Sequence, residues 1–194
     1  FSHVEHKMIL GFKGLFLGIT DGATQMLMDF CLVGEKGKKG TYNLKQKQLD
    51  ARFKKERNED SHTAKRIKEY DESKIKLMIE MIKRLISRKI HFDYILADSW
   101  FACAEVIRFV TSRHVKCHYL GMIKMGKTKY HYNRKDYTAK ALVALFDHPK
   151  KGRKFSRNLG CYYVTVDVEF AGRKVRLFFT KRNKKSEWNA LITT

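Results

Sequence analysis

Residues 94–101, Tyr-Ile-Leu-Ala-Asp-Ser-Trp-Phe, deliver one carboxylate, Asp98, to the end of an uninterrupted apolar run, and a helical pattern follows at once. Such a run suits a strand buried on both faces, as in a parallel sheet, and ligands of open α/β sheets gather at the carboxyl ends of such strands. Asp98 is therefore the first candidate for chemistry, as a metal-binding carboxylate. The competing reading is local: Asp and Ser are favoured N-caps, so that Asp98 or Ser99 does no more than cap the next helix. Neighbouring acids do not complete a metal site. Asp93 lies about 16 Å back along an extended strand, and Glu105 about 10 Å along a helix. Neither reaches a pair of ions about 3.5–4 Å apart. Asp21, in an Asp-Gly pair, reads as a turn residue, and Asp29, inside an apolar run, is harder to place; distance along the sequence excludes neither from the site.

The elements around Asp98 follow from pattern. Leu15–Thr20 and Gln25–Val33 read as strands joined by the hairpin signal Asp21-Gly22-Ala23-Thr24. Residues 34–71 turn polar and basic, with helical character around Lys45–Arg57. From Ser73 to Arg88, Ile75, Met78, Ile79, Ile82, Leu85 and Ile86 follow helical spacing, which predicts an amphipathic helix on a sheet. The strand ending in Asp98 comes next, then a helix striped by Cys103, Val106, Ile107 and Val110, then the apolar run Cys117–Met125. That order is βαβ organisation. Beyond it a short helix is expected within Tyr137–Phe146, a basic loop over Lys150–Arg157, and alternating strands over Cys161–Phe170 and Lys174–Thr180 joined by Ala171-Gly172-Arg173. A last strand spans Trp188–Thr193, and Asp167 and Glu169 should face solvent by period-two alternation.

Composition points to a polyanionic partner. The 41 Lys+Arg against 20 Asp+Glu give a formal charge of +21, far beyond what solubility needs, and nucleic acid is the leading candidate. No run approaches the roughly 18 apolar residues of a spanning helix, and no signal-peptide pattern is evident, so a membrane partner is not expected. Cys31, Cys103, Cys117 and Cys161 are widely separated and form no CxxC pair. They read as reduced residues of a cytosolic protein, and a zinc site involving His3 and His6 is not expected. The sequence opens in mid-pattern without Met and is expected to be a piece of something longer.

The segments Phe1-Ser2-His3-Val4-Glu5-His6, Gly11-Phe12-Lys13, Leu17-Gly18-Ile19-Thr20-Asp21-Gly22, Leu96-Ala97-Asp98-Ser99-Trp100-Phe101 and Met122-Ile123-Lys124-Met125-Gly126-Lys127, in that order, resemble a bacterial DDE transposase of the insertion-sequence type 4 group. The resemblance implies an α/β, ribonuclease H-like mixed sheet with flanking helices and a β-rich insertion. The core would occupy residues 1–136 and the insertion 137–194. By the same likeness Asp98 matches the second catalytic acid, while the first acid would lie upstream on the missing first strand and the third, a Glu, downstream on the missing last catalytic helix.

The activity so implied is DNA strand cleavage and strand transfer in cut-and-paste transposition. In the full-length protein two Mg²⁺ (or Mn²⁺) ions held by three carboxylates would serve that chemistry, and the fragment alone is expected to be inactive. The implied partners are double-stranded DNA, at terminal inverted repeats and target, and a second copy in a DNA-bound homodimer. The location would be the bacterial cytoplasm, with the nucleoid. Candidates for phosphate contact are Lys36, Lys38, Lys39, Lys124, Lys127, Lys129, Arg134, Lys150, Lys151, Arg153 and Lys154. Two other readings stay open: a non-catalytic basic nucleic-acid-binding protein that makes no use of Asp98, and a ribonuclease H-like nuclease with another role.

Overall fold

The structure is a computed structural model that describes residue 6, residues 13–34, residue 47, residues 55–70 and residues 72–194. It is a mixed α/β fold with four helices among the described residues, and it divides into two compact units, Phe1–Ile90 and His91–Thr194. None of the described helices is long and apolar enough to cross a membrane. Most of Lys45–Arg57, with its expected helix, lies outside the described residues.

In the first unit, β1 (Gly14–Thr20) pairs antiparallel with β2 (Gln25–Leu32) around the expected turn. Asp21 Oδ1 accepts from the Ala23 and Thr24 N–H groups at 3.0 and 2.6 Å. These two bonds lower the Asp21 pKa, so its carboxylate is committed to the turn. Gly22 takes a φ of 96°, which a side chain would resist. A bulge between Leu17 and Gly18 resets the register, and from there Asp29 sits opposite Leu17 and Cys31 opposite Leu15. Asp29, Cys31 and Val33 thus share one face of β2 by alternation.

Two helices follow. α1 (His62–Tyr70) lies in the segment that reads as polar connection; its start was legible in Ser61, whose Oγ accepts from Ala64 N–H at 3.2 Å. α2 (Lys74–Ser87) matches the expected amphipathic helix, capped by Ser73 Oγ on Lys76 N–H. Leu77 and Met81 pack with Cys31 and Val33, and Leu15 and Leu17 close the cluster. Asp29 meets this same side. Its two oxygens accept from Arg66 Nη2 at 2.8 Å and Arg84 Nε at 2.7 Å, and Glu69 binds both arginines. This supplies the role that the sequence left open.

The second unit is one mixed sheet, ordered β3-β4-β10-β9-β8-β5-β6, with β7 also paired to β8. Its strands are β3 (Tyr94–Ala97), β4 (His118–Ile123), β5 (Lys129–Tyr132), β6 (Lys135–Thr138), β7 (Lys154–Ser156), β8 (Cys161–Phe170), β9 (Arg173–Lys181) and β10 (Asn189–Thr193). α3 (Ala104–Val110) crosses between the parallel strands β3 and β4 and buries Val106, Ile107 and Val110. α4 (Ala139–Phe146) matches the expected short helix, capped by Thr138. β8 and β9 form the expected hairpin, and Asp167 faces solvent in a bidentate pair with Arg176 across the strands at 2.6 and 3.0 Å. Glu169 is also exposed.

Three features differ from expectation. β3 is not buried on both faces: Ile95 is buried, but Tyr94 is 59% and Leu96 66% exposed. The reason is position, because β3 ends the sheet and α3 covers one face only. The stretch Lys150–Arg157 is not wholly loop, since β7 pairs with β8 through Phe155↔Tyr162. The expected boundary at 136/137 falls inside β6, and the sheet runs on past it because β10 pairs with β4. The four cysteines are free, and Cys31 is fully buried.

The Asp29 network makes a measurable contribution. Burial raises the Asp29 pKa, but hydrogen bonds from Arg66 and Arg84 outweigh it and hold the carboxyl below its ordinary 3.8. The pair is therefore fully stabilising above about pH 4 and its contribution is lost as pH falls through the lowered value. Asp29→Asn should cost about 1.5 kcal/mol, the lower end for charged hydrogen bonds because both arginines are partly exposed. It should also flatten the acid limb of stability, which urea unfolding at about pH 7 and about pH 3 will measure.

Candidate functional site

The ladder between β3 and β4 sets the geometry of the candidate site. Ala97 is opposite Gly121 in a parallel register, so Asp98 leaves the sheet beside Met122, and Lys124 leaves it just beyond. Both therefore emerge at the carboxyl ends of parallel strands, where ligands of such sheets collect. Asp98 does not cap the following helix. The N-cap of α3 is Cys103, with no side-chain capping bond, and Ser99 is not the cap either. Instead Asp98 Oδ1 accepts from Trp100 N–H at 2.8 Å, and Phe101 N–H donates to the Asp98 carbonyl at 3.1 Å. This tight turn fixes the carboxylate and lifts Trp100 out of the sheet. Asp98 Oδ2 has no hydrogen-bond partner among the described residues.

The Trp100 ring is 57% exposed, and Lys124 Nζ lies 5.5 Å from its centroid. A cation over an indole face is favourable, and among the described residues no acid pairs with Lys124. Tyr119 is fully buried, and its hydroxyl has no hydrogen-bond partner among the described residues. Burial first, then the Cys103 thiol and the Asp98 carboxylate, push the Tyr119 pKa up, so this hydroxyl remains a proton donor. The ring lies across Gly121, where a Cβ would meet Tyr119 Oη at 2.5 Å. One carboxylate, one free ammonium and one exposed indole thus share a strand end. That set can hold one side of a cation and a phosphate. Among the described residues no group of three His, Cys, Asp or Glu converges to hold a metal ion, so Asp98 alone would be one ligand of a larger set.

The other expected phosphate contacts fall in separate places. Lys36, Lys38 and Lys39 lie outside the described residues. Lys127, Lys129 and Arg134 are exposed around the β5–β6 hairpin, whose turn residues Asn133 and Arg134 take φ of 46° and 64°, the two left-handed positions of a tight hairpin turn. Lys150, Lys151 and Lys154 are exposed before and within β7. From β4 to β8 the sheet crosses three strand spacings, about 14 Å. Arg153 is not free. It bonds Asp147 Oδ1 at 2.9 Å, while Asp147 Oδ2 takes Lys181 Nζ at 2.9 Å and Trp188 Nε1 at 3.1 Å. Lys181 is buried, 5% exposed, and lies 4.4 Å from the Trp188 ring centroid. Burial raises the Asp147 pKa, yet hydrogen bonds from Lys181, Trp188 and Arg153 lower it overall. Arg153 therefore serves the packing of α4 against β9.

Sequence reasoning passed over Arg182, Lys184 and Lys185, although the run Lys181-Arg182-Asn183-Lys184-Lys185 carries an obvious charge. It also used Trp100 only as part of a pattern, and its exposure beside Lys124 could not be read from spacing. Compared with known proteins, the chain matches no family model, no curated protein and no solved structure.

The distinction between Arg153 and its lysine neighbours is testable. Arg153→Gln should lower the melting temperature, since it breaks a partly buried pair, and leave the salt dependence of DNA binding unchanged. Replacing Lys150, Lys151 and Lys154 with Ser should do the reverse, reducing the log–log salt slope by about 0.9 per lost phosphate contact. Anisotropy titrations at several salt concentrations separate the two outcomes.

Proposed function

We propose that this chain is part of the catalytic domain of a DDE transposase of the insertion-sequence type 4 group, with a ribonuclease H-like core, acting on double-stranded DNA. The observation that carries the reading is Asp98 at the carboxyl end of a parallel strand pair, with Lys124 and Trp100 beside it. The excess of 41 cations over 20 acids supports a DNA partner. The edge of β3, which has no second strand partner among the described residues, supports the rest. β3 ends the sheet, and its outward side chains Tyr94 and Leu96, with Met122 on β4, are exposed apolar surface. A further strand carrying the first catalytic acid would pair at that edge.

In this reading Asp98 is one of three carboxylates around two Mg²⁺ or Mn²⁺ ions, which when bound would supply charge stabilisation for in-line displacement at phosphorus. The chain's own contributions are simpler. Asp98 offers a fixed carboxylate oxygen, Lys124 a phosphate contact, and the ladder between β3 and β4 holds them in register. A DNA-bound homodimer and a bacterial cytoplasmic location belong to the same proposal.

One observation favours a second reading. The bond from Trp100 N–H to Asp98 Oδ1 gives Asp98 a structural task without chemistry, as a non-catalytic nucleic-acid-binding protein would require. The two readings separate in a chain that also carries the upstream and downstream acids. There Asp98→Asn, which can still accept the turn hydrogen bond, should abolish metal-dependent cleavage of inverted-repeat ends, with DNA affinity nearly unchanged. Cleavage at the normal rate by that variant would remove Asp98 from the catalytic set.

A further inference from the structure

The turn between β9 and β10 and the turn between β7 and β8 enclose an open cleft of about 560 Å³ lined by Phe155, Tyr162, Arg182, Asn183, Lys184 and Lys185. Phe155 is 52% exposed and lines this cleft. Its ring is held edge-on against Tyr162, with centroids 5.0 Å apart and planes at 60°. Tyr162 is held in turn by the Arg153 guanidinium, 5.5 Å from its centroid, and Asp147 anchors that guanidinium at 2.9 Å. The aromatic wall is thus fixed before any ligand arrives.

The opposite wall is cationic, and its backbone turn is held in place. Asn183 Oδ1 accepts from the N–H groups of Lys185 and Ser186, both at 2.9 Å, which sets the turn that presents the side chains. Arg182, Lys184 and Lys185 are exposed, no described acidic group pairs with them, and no acid lines the cleft. Three uncompensated cations facing an exposed aromatic ring match a ligand with both phosphates and a free π-face. Bases inside a duplex have their faces occupied by neighbours, so only an unpaired base gains from the ring.

We propose that this cleft binds single-stranded nucleic acid, with an unstacked base on Phe155 and adjacent phosphates on Arg182, Lys184 and Lys185. The site goes beyond the reading centred on Asp98 and does not depend on it, because neither Asp98 nor Lys124 lines the cleft.

The test is fluorescence anisotropy of the full chain with a labelled oligothymidylate of about ten residues, within the span such sites cover, and with a blunt-ended duplex of equal charge. Phe155→Ala should weaken oligothymidylate binding about ten-fold, as expected for one lost base stack, and leave the duplex unaffected. Phe155→Trp should retain or tighten it. Lys184→Ser with Lys185→Ser should reduce the single-strand salt slope by about 1.4, two contacts at about 0.7 each. Unchanged thermal transitions establish that the variants fold. Oligothymidylate affinity unaltered by Phe155→Ala, or an equal loss for strand and duplex, overturns the proposal. Asp98→Asn should leave this binding as it is whether or not it stops cleavage, so the two readings fail separately.

Discussion

Strand β4 is the constraint on which the second unit depends. One of its edges bonds β3 in parallel and the other bonds β10 antiparallel, and Gly121 sits between Ala97 on one side and Ile192 on the other. Parallel pairing requires a crossover, which α3 supplies with Val106, Ile107 and Val110 buried beneath it. The full burial of Tyr119, whose ring lies over Gly121, makes a side chain at 121 sterically impossible without displacing that ring. Because Asp98 and Lys124 leave adjacent strands of this ladder, their relation is set by backbone hydrogen bonds and not by a loop. Charges supported in this way are held more rigidly than charges on a loop.

Charge is distributed by the same economy. With 20 acids against 41 cations, a net charge of +21 is left unbalanced within the chain. Two of the few acids, Asp29 and Asp147, each hold two cations in place. Asp29 draws Arg66 and Arg84 onto β2, and Asp147 gathers Arg153 and Lys181 with the Trp188 indole. Acids used this way stabilise packing but cannot neutralise the exposed lysines. The remaining potential is therefore positive over the β5–β6 hairpin, the residues around β7 and the turn after β9, and low-dielectric walls such as Phe155 and Trp100 strengthen it locally.

Much of the fold was legible because its signals are local. Asp21-Gly22 marked its turn, the apolar spacing from Ile75 to Ile86 marked α2, and alternation marked the β8–β9 hairpin. The failures concern partners distant in sequence. The apolar run at 94–97 reads the same whether a strand is central or terminal, so its exposed face was invisible without knowing its neighbours. The pairing of β10 with β4, across nearly seventy residues, leaves no local trace. Arg153 looked like its lysine neighbours until Asp147 was found against it, and Asp29 had no reading until Arg66 and Arg84 supplied one. The position of Asp98 at a strand end was legible; its aromatic and cationic surroundings were not.

The turn bond from Trp100 to Asp98 need not compete with chemistry at the same carboxylate. It occupies Oδ1 with one backbone donor and fixes the side-chain rotamer, while Oδ2 keeps its lone pairs. A ligand oxygen held in this way loses less conformational freedom on binding than a free side chain would, and support of a liganding carboxylate by a second hydrogen bond is the usual arrangement around metals. Lys124, drawn over Trp100, stays close without forming an ion pair that would cancel the carboxylate charge. Opposite charges placed at one strand end but not neutralised against each other leave both available, the carboxylate to a cation and the ammonium to a phosphate.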